Sequence, residues 1–392
     1  MFQPDESNPM LIKGYEMRIL TTTDAPQLCK RQQSFTYQQK AFLSVKTPKL
    51  IKSKIIEHSE SPYRAPILLV EYVDRIRAFM AKHGDNATKA MTDPACAEVI
   101  AGFYRLCVDL RLLNAVTVSD AHPMPKVIDI LNEFAGCSHF SAFDVTDAFW
   151  SVCLAIQDRH KTAFATHDML LQWRVMPQGS KNGATVFIRI IQQTFQGCSK
   201  YISKYQDDIF NHSNTIRELL RAHQETFDRL TIKNMTVAVK KSRMNYPRLK
   251  ALGQMITERG RCPDIKQIQA IIDICTPECT QDVQHIIGLC NFSRDYIPNL
   301  AAESDVLMDL IPEAVDVAAE WKDSIHERAL RRIKALLTSA PYLQLPDPQK
   351  PYRIHVDGCL KHRGKGAVLL QQSRLWTPPY NPDPAAAPPE AP

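Results

Sequence analysis

The sequence predicts an α+β fold, and three observations lead there. Short apolar runs with strand-like alternation recur along the chain. Amphipathic helical stretches lie among them. The two kinds do not alternate strictly, as a parallel βαβ sheet would require. The 392 residues suffice for two or three domains at roughly 150 residues each. Hydrophobic residues make up 44% and charged residues 23%, ordinary globular proportions that exclude wholesale disorder.

In order, residues 1–45 are polar and weakly patterned and read as a weakly ordered lead-in. From Lys46, lysines flank Leu50, Ile51, Ile55 and Ile56, the pattern of an amphipathic helix. Ala65–Tyr72 reads as a strand entered through Pro62 and Pro66, residues 73–102 as charged helix, and Tyr104–Leu110 as a second strand. Ser138–Val145 is a third strand with an acid near its end. Residues 182–200 look helical. Tyr201-Ile202 and Ile209-Phe210 then flank Tyr205-Gln206-Asp207-Asp208, a hairpin pattern. Helical periodicity returns over 213–233 and again over most of 264–336, with a strand-like piece at 234–239 and strands within 351–372. Residues 376–392 hold seven of the 26 prolines, the composition of a disordered tail.

The eleven cysteines are odd in number and irregularly spaced, and only Cys275 and Cys279 lie close together, so neither a disulfide framework nor a zinc site is expected. No apolar leader precedes them, and no run approaches about 18 apolar residues. The expectation is a reducing, intracellular setting without a membrane. The net charge of +6 has a location. Residues 233–261 carry Lys233, Lys240, Lys241, Arg243, Arg248, Lys250, Arg259 and Arg261 against Glu258 alone, so the rest of the chain is nearly neutral. Such a strip is often only a solvated face. It also suits phosphate binding, which is independent of sequence and sensitive to salt.

Asp207-Asp208 at a hairpin tip would ordinarily be solvated. The apolar flanks and Asp144 at the end of another strand raise a different reading, three carboxylates brought to one point. Converging carboxylates repel unless a cation lies between them. Oxygen-only donors suit Mg²⁺, with Mn²⁺ as the alternative, and two such ions serve phosphoryl transfer.

Tyr205-Gln206-Asp207-Asp208 resembles the Tyr-x-Asp-Asp box of reverse transcriptases. It has company in the family's order: Tyr104–Asn114, Phe143–Phe149, Met176-Pro177-Gln178-Gly179, Leu252-Gly253-Gln254, Pro263–Lys266, Ile287–Phe292 and Tyr296–Asn299. The string is similar to that of gypsy-type long-terminal-repeat retrotransposons over about residues 20–372. The resemblance implies a right-hand polymerase fold, with fingers and palm over 46–255 and a thumb-like helical region over 256–317. A partial ribonuclease H-like segment at 318–372 and a proline-rich tail at 373–392 would follow.

By the same resemblance Asp144, Asp207 and Asp208 are catalytic and hold two metal ions. Arg105, Phe149 and Gln178 bind the incoming deoxynucleoside triphosphate, Phe149 excluding a 2′-hydroxyl. Tyr205, Lys240, Lys241, Leu252, Gly253 and Gln254 meet the primer and its RNA or DNA template. Asp357 is the first ligand of the ribonuclease H-like remnant, Asp109 and Asp147 are structural, and Lys161–Phe164 is palm packing. Other parts of a retroelement polyprotein are the implied partners.

The pattern departs from the family in three places. Residues 73–102 lengthen a fingers loop, the segment after Gln178 lacks a customary proline, and only 35 residues follow Asp357. The last point leads us to expect no ribonuclease H cleavage. Two rivals to a polymerase stand: a decayed or co-opted retroelement protein that only binds nucleic acid, and a two-metal phosphohydrolase. The second leaves Phe149 and the basic strip without a purpose.

Overall fold

The structure, a computed structural model, describes residues 10–22, 34–84, 96–312, 315–338, 343–346, 350–359 and 364–371. The tail from 373, most of the first 33 residues and part of the 73–102 segment lie outside the described residues. The chain divides into two compact units, residues 1–130 with 140–246, and residues 131–139 with 247–392. Helices and sheets mix in both, in the α+β manner.

The first unit is built on a four-stranded sheet in the order Arg243–Tyr246, His139–Asp144, Asp208–Ser213, Ile202–Tyr205. Two helices belong to it. Gly183–Thr194 buries Phe187, Ile188, Ile190 and Ile191 on one face, and Ile216–Lys233 buries Leu219, Ala222 and Leu230. The second of these starts where Thr215 accepts a hydrogen bond from the Glu218 amide. It stops at Asn234, which takes the left-handed conformation at φ 60°. Phe143, Ile191, Phe195, Ile202, Ile209, Leu230 and Val237 form one continuous core.

A second core in the same unit joins the helix Tyr37–Lys52, the hairpin of Ile67–Glu71 with Tyr104–Val108, and a sheet of Ile56–His58, Leu170–Trp173 and Phe164–Ala165. The long hairpin connection is packed where it is described. Its helix Val73–His83 inserts Phe79 against Phe103, edge to face at 5.1 Å.

The lead-in requires a correction. The first helix begins at Tyr37, because Thr36 and Gln39 form a reciprocal capping box there. Ile12, Met17 and Ile19 are core residues, and Glu16–Met17 pairs in parallel with Cys153–Leu154. Asp158 fastens this segment. Its carboxylate accepts from Arg18 Nε at 2.8 Å and the Ile19 amide at 3.0 Å, while Lys161 Nζ binds both Asp158 and the Ile19 carbonyl. Residues 234–239 make only a bridge, Val237 opposite Val145, rather than a strand.

Beneath the hairpin Ile202–Ser213 lies a buried polar layer. His212 Nε2 meets Ser203 Oγ at 2.7 Å, and Asn211 bonds Thr226. Burial lowers the His212 pKa to about 4, so the imidazole is neutral in the folded protein. Its unfolded counterpart binds a proton near pH 6.5. Stability is therefore full above that pH and drains away as pH falls toward 4, by about 2–3 kcal/mol in all. Melting curves between pH 7.5 and 4.5 should show this loss, and His212→Asn should flatten it. An unchanged slope in the variant would refute the assignment.

The second unit opens with a sheet not foreseen in the sequence, Arg248–Ala251, Gln254–Thr257 and Gly260–Pro263, antiparallel throughout. The longer of its two segments therefore runs from residue 247. Helices Ile265–Ile272, Thr280–Phe292, Leu300–Met308 and Arg328–Thr338 follow around Val283, Ile286, Cys290, Leu330 and Ile333. Tyr352–Cys359 and Gly364–Gln371 pair as an antiparallel hairpin. Nine cysteines are free thiols among the described residues. No helix among them is long and apolar enough to cross a membrane.

Candidate active site

Two strands of the first unit's sheet bring the acids together. Asp144 ends one, Asp208 begins its neighbour, and Asp207 sits in the turn between Tyr205 and Asp208. The backbone locks this arrangement. The Val145 amide donates to the Asp207 carbonyl at 3.0 Å and the Ala238 amide to that of Asp144 at 2.9 Å. The turn is tight enough to hold Gln206 at φ 53°, a left-handed conformation that costs a non-glycine residue about 1–3 kcal/mol and clusters at functional sites.

The electrostatics follow from this placement. Burial, then the charges of Asp207 and Asp144, raise the Asp208 pKa to about 6, against the pull of Lys241. Lys241 Nζ lies 3.1 and 3.3 Å from the two Asp144 carboxylate oxygens. An internal ammonium thus sits against the Asp144 carboxylate. Among the described residues no three His, Cys, Asp or Glu side chains form a ready-made metal cage. The chemistry of the donors nevertheless suits a hard divalent ion, being carboxylate oxygen with no nitrogen or sulfur ligand.

Around the loop 177–182 the structure unites the other residues singled out in the sequence. Arg105 Nη2 donates to Gln178 Oε1 at 2.7 Å. Asp147, at φ 47°, begins the turn that carries Phe149, and the Ser151 amide closes it on the Asp147 carbonyl. Three residues to which the sequence gave no role hold the loop. Asn114 donates to the Gly179 carbonyl and accepts from the Lys181 amide, each at 2.9 Å. Asn182 donates to the Val118 carbonyl and accepts from the Asp120 amide, and Asp120 takes a bidentate pair from Arg189. Polar residues beside the Gln178-Gly179 motif were the available signal.

The basic strip is less open than its count suggests. Lys241 is engaged by Asp144, Lys250 by Asp264, and Arg261 is buried, bound to Gln254 and Asp295. Lys240, Arg243, Arg248 and Arg259 remain exposed. Gln254 is turned inward, accepting from both Arg261 and the Tyr296 hydroxyl, which corrects its placing against a primer. Leu252 and Gly253 form a two-residue turn with φ of 51° and 77°. Such turns favour Asn-Gly, so a leucine there is strained and presents an apolar tip. Asp357 stands opposite Gly366 in the last hairpin, and its side chain is outside the described residues.

Residues 88–256 match the family described as reverse transcriptase (RNA-dependent DNA polymerase). The chain carries a reverse transcriptase domain. Drosophila melanogaster Pol polyproteins are similar over most of the chain. That of transposon 297 is 25% identical over 354 residues, covering 90% of this chain and 31% of the polyprotein. That of transposon gypsy is 26% identical over 346 residues, covering 86% and 31%. This chain thus spans about a third of the length of these relatives. Among solved structures, a foamy viral protease-reverse transcriptase bound to double-stranded DNA aligns with a TM-score of 0.77 at 24% identity, covering 92% of this chain and 58% of that one. The same protein bound to an RNA/DNA hybrid gives 0.75 at 22% identity, covering 95% and 48%. The fold is that of a reverse transcriptase polymerase domain.

Proposed function

We propose that the chain is an RNA-directed DNA polymerase, adding deoxynucleotides to the 3′-end of a primer on an RNA or DNA template. The observation that carries this reading is the meeting of Asp144, Asp207 and Asp208, where burial first, and then the charges of Asp207 and Asp144, raise Asp208 to about 6. The reaction forms a bond between the primer 3′-oxygen and the nucleotide α-phosphorus and breaks the bond to pyrophosphate. Asp144, Asp207 and Asp208 would hold two divalent ions, Mg²⁺ or in its place Mn²⁺. When bound, these supply activation of the hydroxyl and neutralisation of the leaving oxygen.

The chain's own groups do the positioning. Arg105 offers a guanidinium fork to the triphosphate, with Gln178 released from it toward sugar and base. Phe149 provides the flat wall that a 2′-hydroxyl would strike. Asp144, once freed from Lys241, would be one of the carboxylates that hold the ions. Exposed Lys240, Arg243, Arg248 and Arg259 neutralise backbone phosphates, and Leu252-Gly253 and Tyr205 lie against the primer–template duplex.

Primer extension on an RNA template tests the proposal. Wild type should extend in the presence of Mg²⁺, and Asp207→Asn should not. Equal incorporation by both would sink it. Salt-sensitive binding of primer–template with no extension by either would decide for a protein that binds nucleic acid without polymerising.

A further inference from the structure

Gly183 opens the helix Gly183–Thr194 and is buried. A Cβ at this position would stand 2.9 Å from Phe149 Cε1, 3.3 Å from Phe149 Cδ1 and 2.8 Å from Ser180 Oγ. Contacts below 3.0 Å are not sustained between such atoms, so both neighbours would have to give way. The backbone cannot retreat readily, whereas the serine hydroxyl can turn away by giving up one hydrogen bond. Ser180 Oγ donates to the Pro177 carbonyl at 3.0 Å, and the Gly183 amide is bound to the Ser180 carbonyl at 3.1 Å. The preceding residue, Asn182, is tied on both sides, to the Val118 carbonyl at 2.8 Å and the Asp120 amide at 3.1 Å. Lys181 is held in turn by Asn114 and by the Thr117 carbonyl. Besides that hydroxyl, the piece that must move is the Phe149 ring, which is only partly buried.

We propose that Gly183 is a specificity-determining position: the absent side chain seats the Phe149 ring, and the depth of that seat sets how the site tells a deoxyribose from a ribose. The proposal rests on the reading of Phe149 as the wall beneath the sugar. Gly183 itself touches no substrate. It acts through the ring, as a positioning residue.

The test is single-nucleotide incorporation with a deoxynucleotide and its ribonucleotide counterpart, in wild type, Gly183→Ala, Phe149→Val and the double variant. Phe149→Val alone should relax discrimination. Should it leave discrimination unchanged, the reading of Phe149 is wrong and the inference falls with it. If Phe149→Val relaxes it, Gly183→Ala should shift the ratio of kcat/KM values by about five-fold or more, the kinetic size of a modest overpacking. The same substitution should have no effect in the Phe149→Val background, where the seat is no longer contested. A Gly183→Ala ratio equal to wild type, or an equal shift in both backgrounds, would overturn the role of Gly183 and leave that of Phe149 standing. If Gly183→Ala is too unstable to assay, melting temperatures read the same coupling. Phe149→Val must then recover part of the loss, since the Ser180 contact remains, and an undiminished loss refutes the proposal.

Discussion

Asp208→Asn should abolish primer extension and leave the chain at least as stable as before. The two effects have one cause. Asp208 lies against Asp207 and Asp144 in a partly buried place, and burial with these charges lifts its pKa to about 6. A group whose folded pKa exceeds its unfolded value of about 3.9 favours the fold most when protonated. At pH 7.5 Asp208 is ionised and repelled, so it costs stability there. The cost is relieved as pH falls through 6 and is gone near 4. The shift corresponds to about 3 kcal/mol, and partial exposure to solvent reduces this to about 1–2 kcal/mol. Asparagine keeps the shape and removes the charge. Melting in EDTA at pH 7.5 should therefore show an equal or higher midpoint, and a stability profile flatter between pH 4 and 8. Extension should fall by at least about 10²–10³-fold, since a ligand for the activating ions is lost. Extension within ten-fold of wild type, or a variant that melts well below it, would refute this account.

The acids were legible because their signal is local. Alternating apolar residues before Asp144 and on either side of Asp207-Asp208 specify strands, and a strand end fixes where its last side chain goes. Helices with a wide apolar face, such as Gly183–Thr194, were legible for the same reason. What depended on a distant partner was not. Ile12, Met17 and Ile19 look like isolated apolar residues in a polar lead-in, and only Asp158 with Lys161, some 140 residues away, makes a packed segment of them. Charge misled in the second unit. The strands Arg248–Ala251, Gln254–Thr257 and Gly260–Pro263 are four residues each, and the cations Arg248, Lys250, Arg259 and Arg261 on and between them make the stretch read as one solvated basic strip. Pairing them brings Arg261 inside, onto Gln254 and the Tyr296 ring. A residue count gives charge; only the register tells which charges are already answered.

Arg105→Ala should raise the KM for the incoming deoxynucleotide about 10–100-fold, the range expected when one or two hydrogen bonds to a charged group are lost. Arg105 is exposed as the second residue of Tyr104–Val108, opposite Val70 on the neighbouring strand, so its backbone is fixed while its side chain reaches outward. The chain's own Gln178 oxygen now takes one of its donors at 2.7 Å. A triphosphate oxygen, carrying charge, is the stronger acceptor and should displace it. Being exposed, the arginine contributes little to the fold, and its removal should change stability by no more than about 0.5 kcal/mol. The triphosphate is held in the ground state as in the transition state, so KM should move more than kcat. Arg105→Lys keeps the charge but not the fork, and belongs between wild type and alanine. Steady-state incorporation of one nucleotide by the three proteins measures this directly. A lysine variant equal to wild type would reduce the contact to bare charge, and an alanine variant with KM within two-fold of wild type would remove Arg105 from the nucleotide pocket altogether.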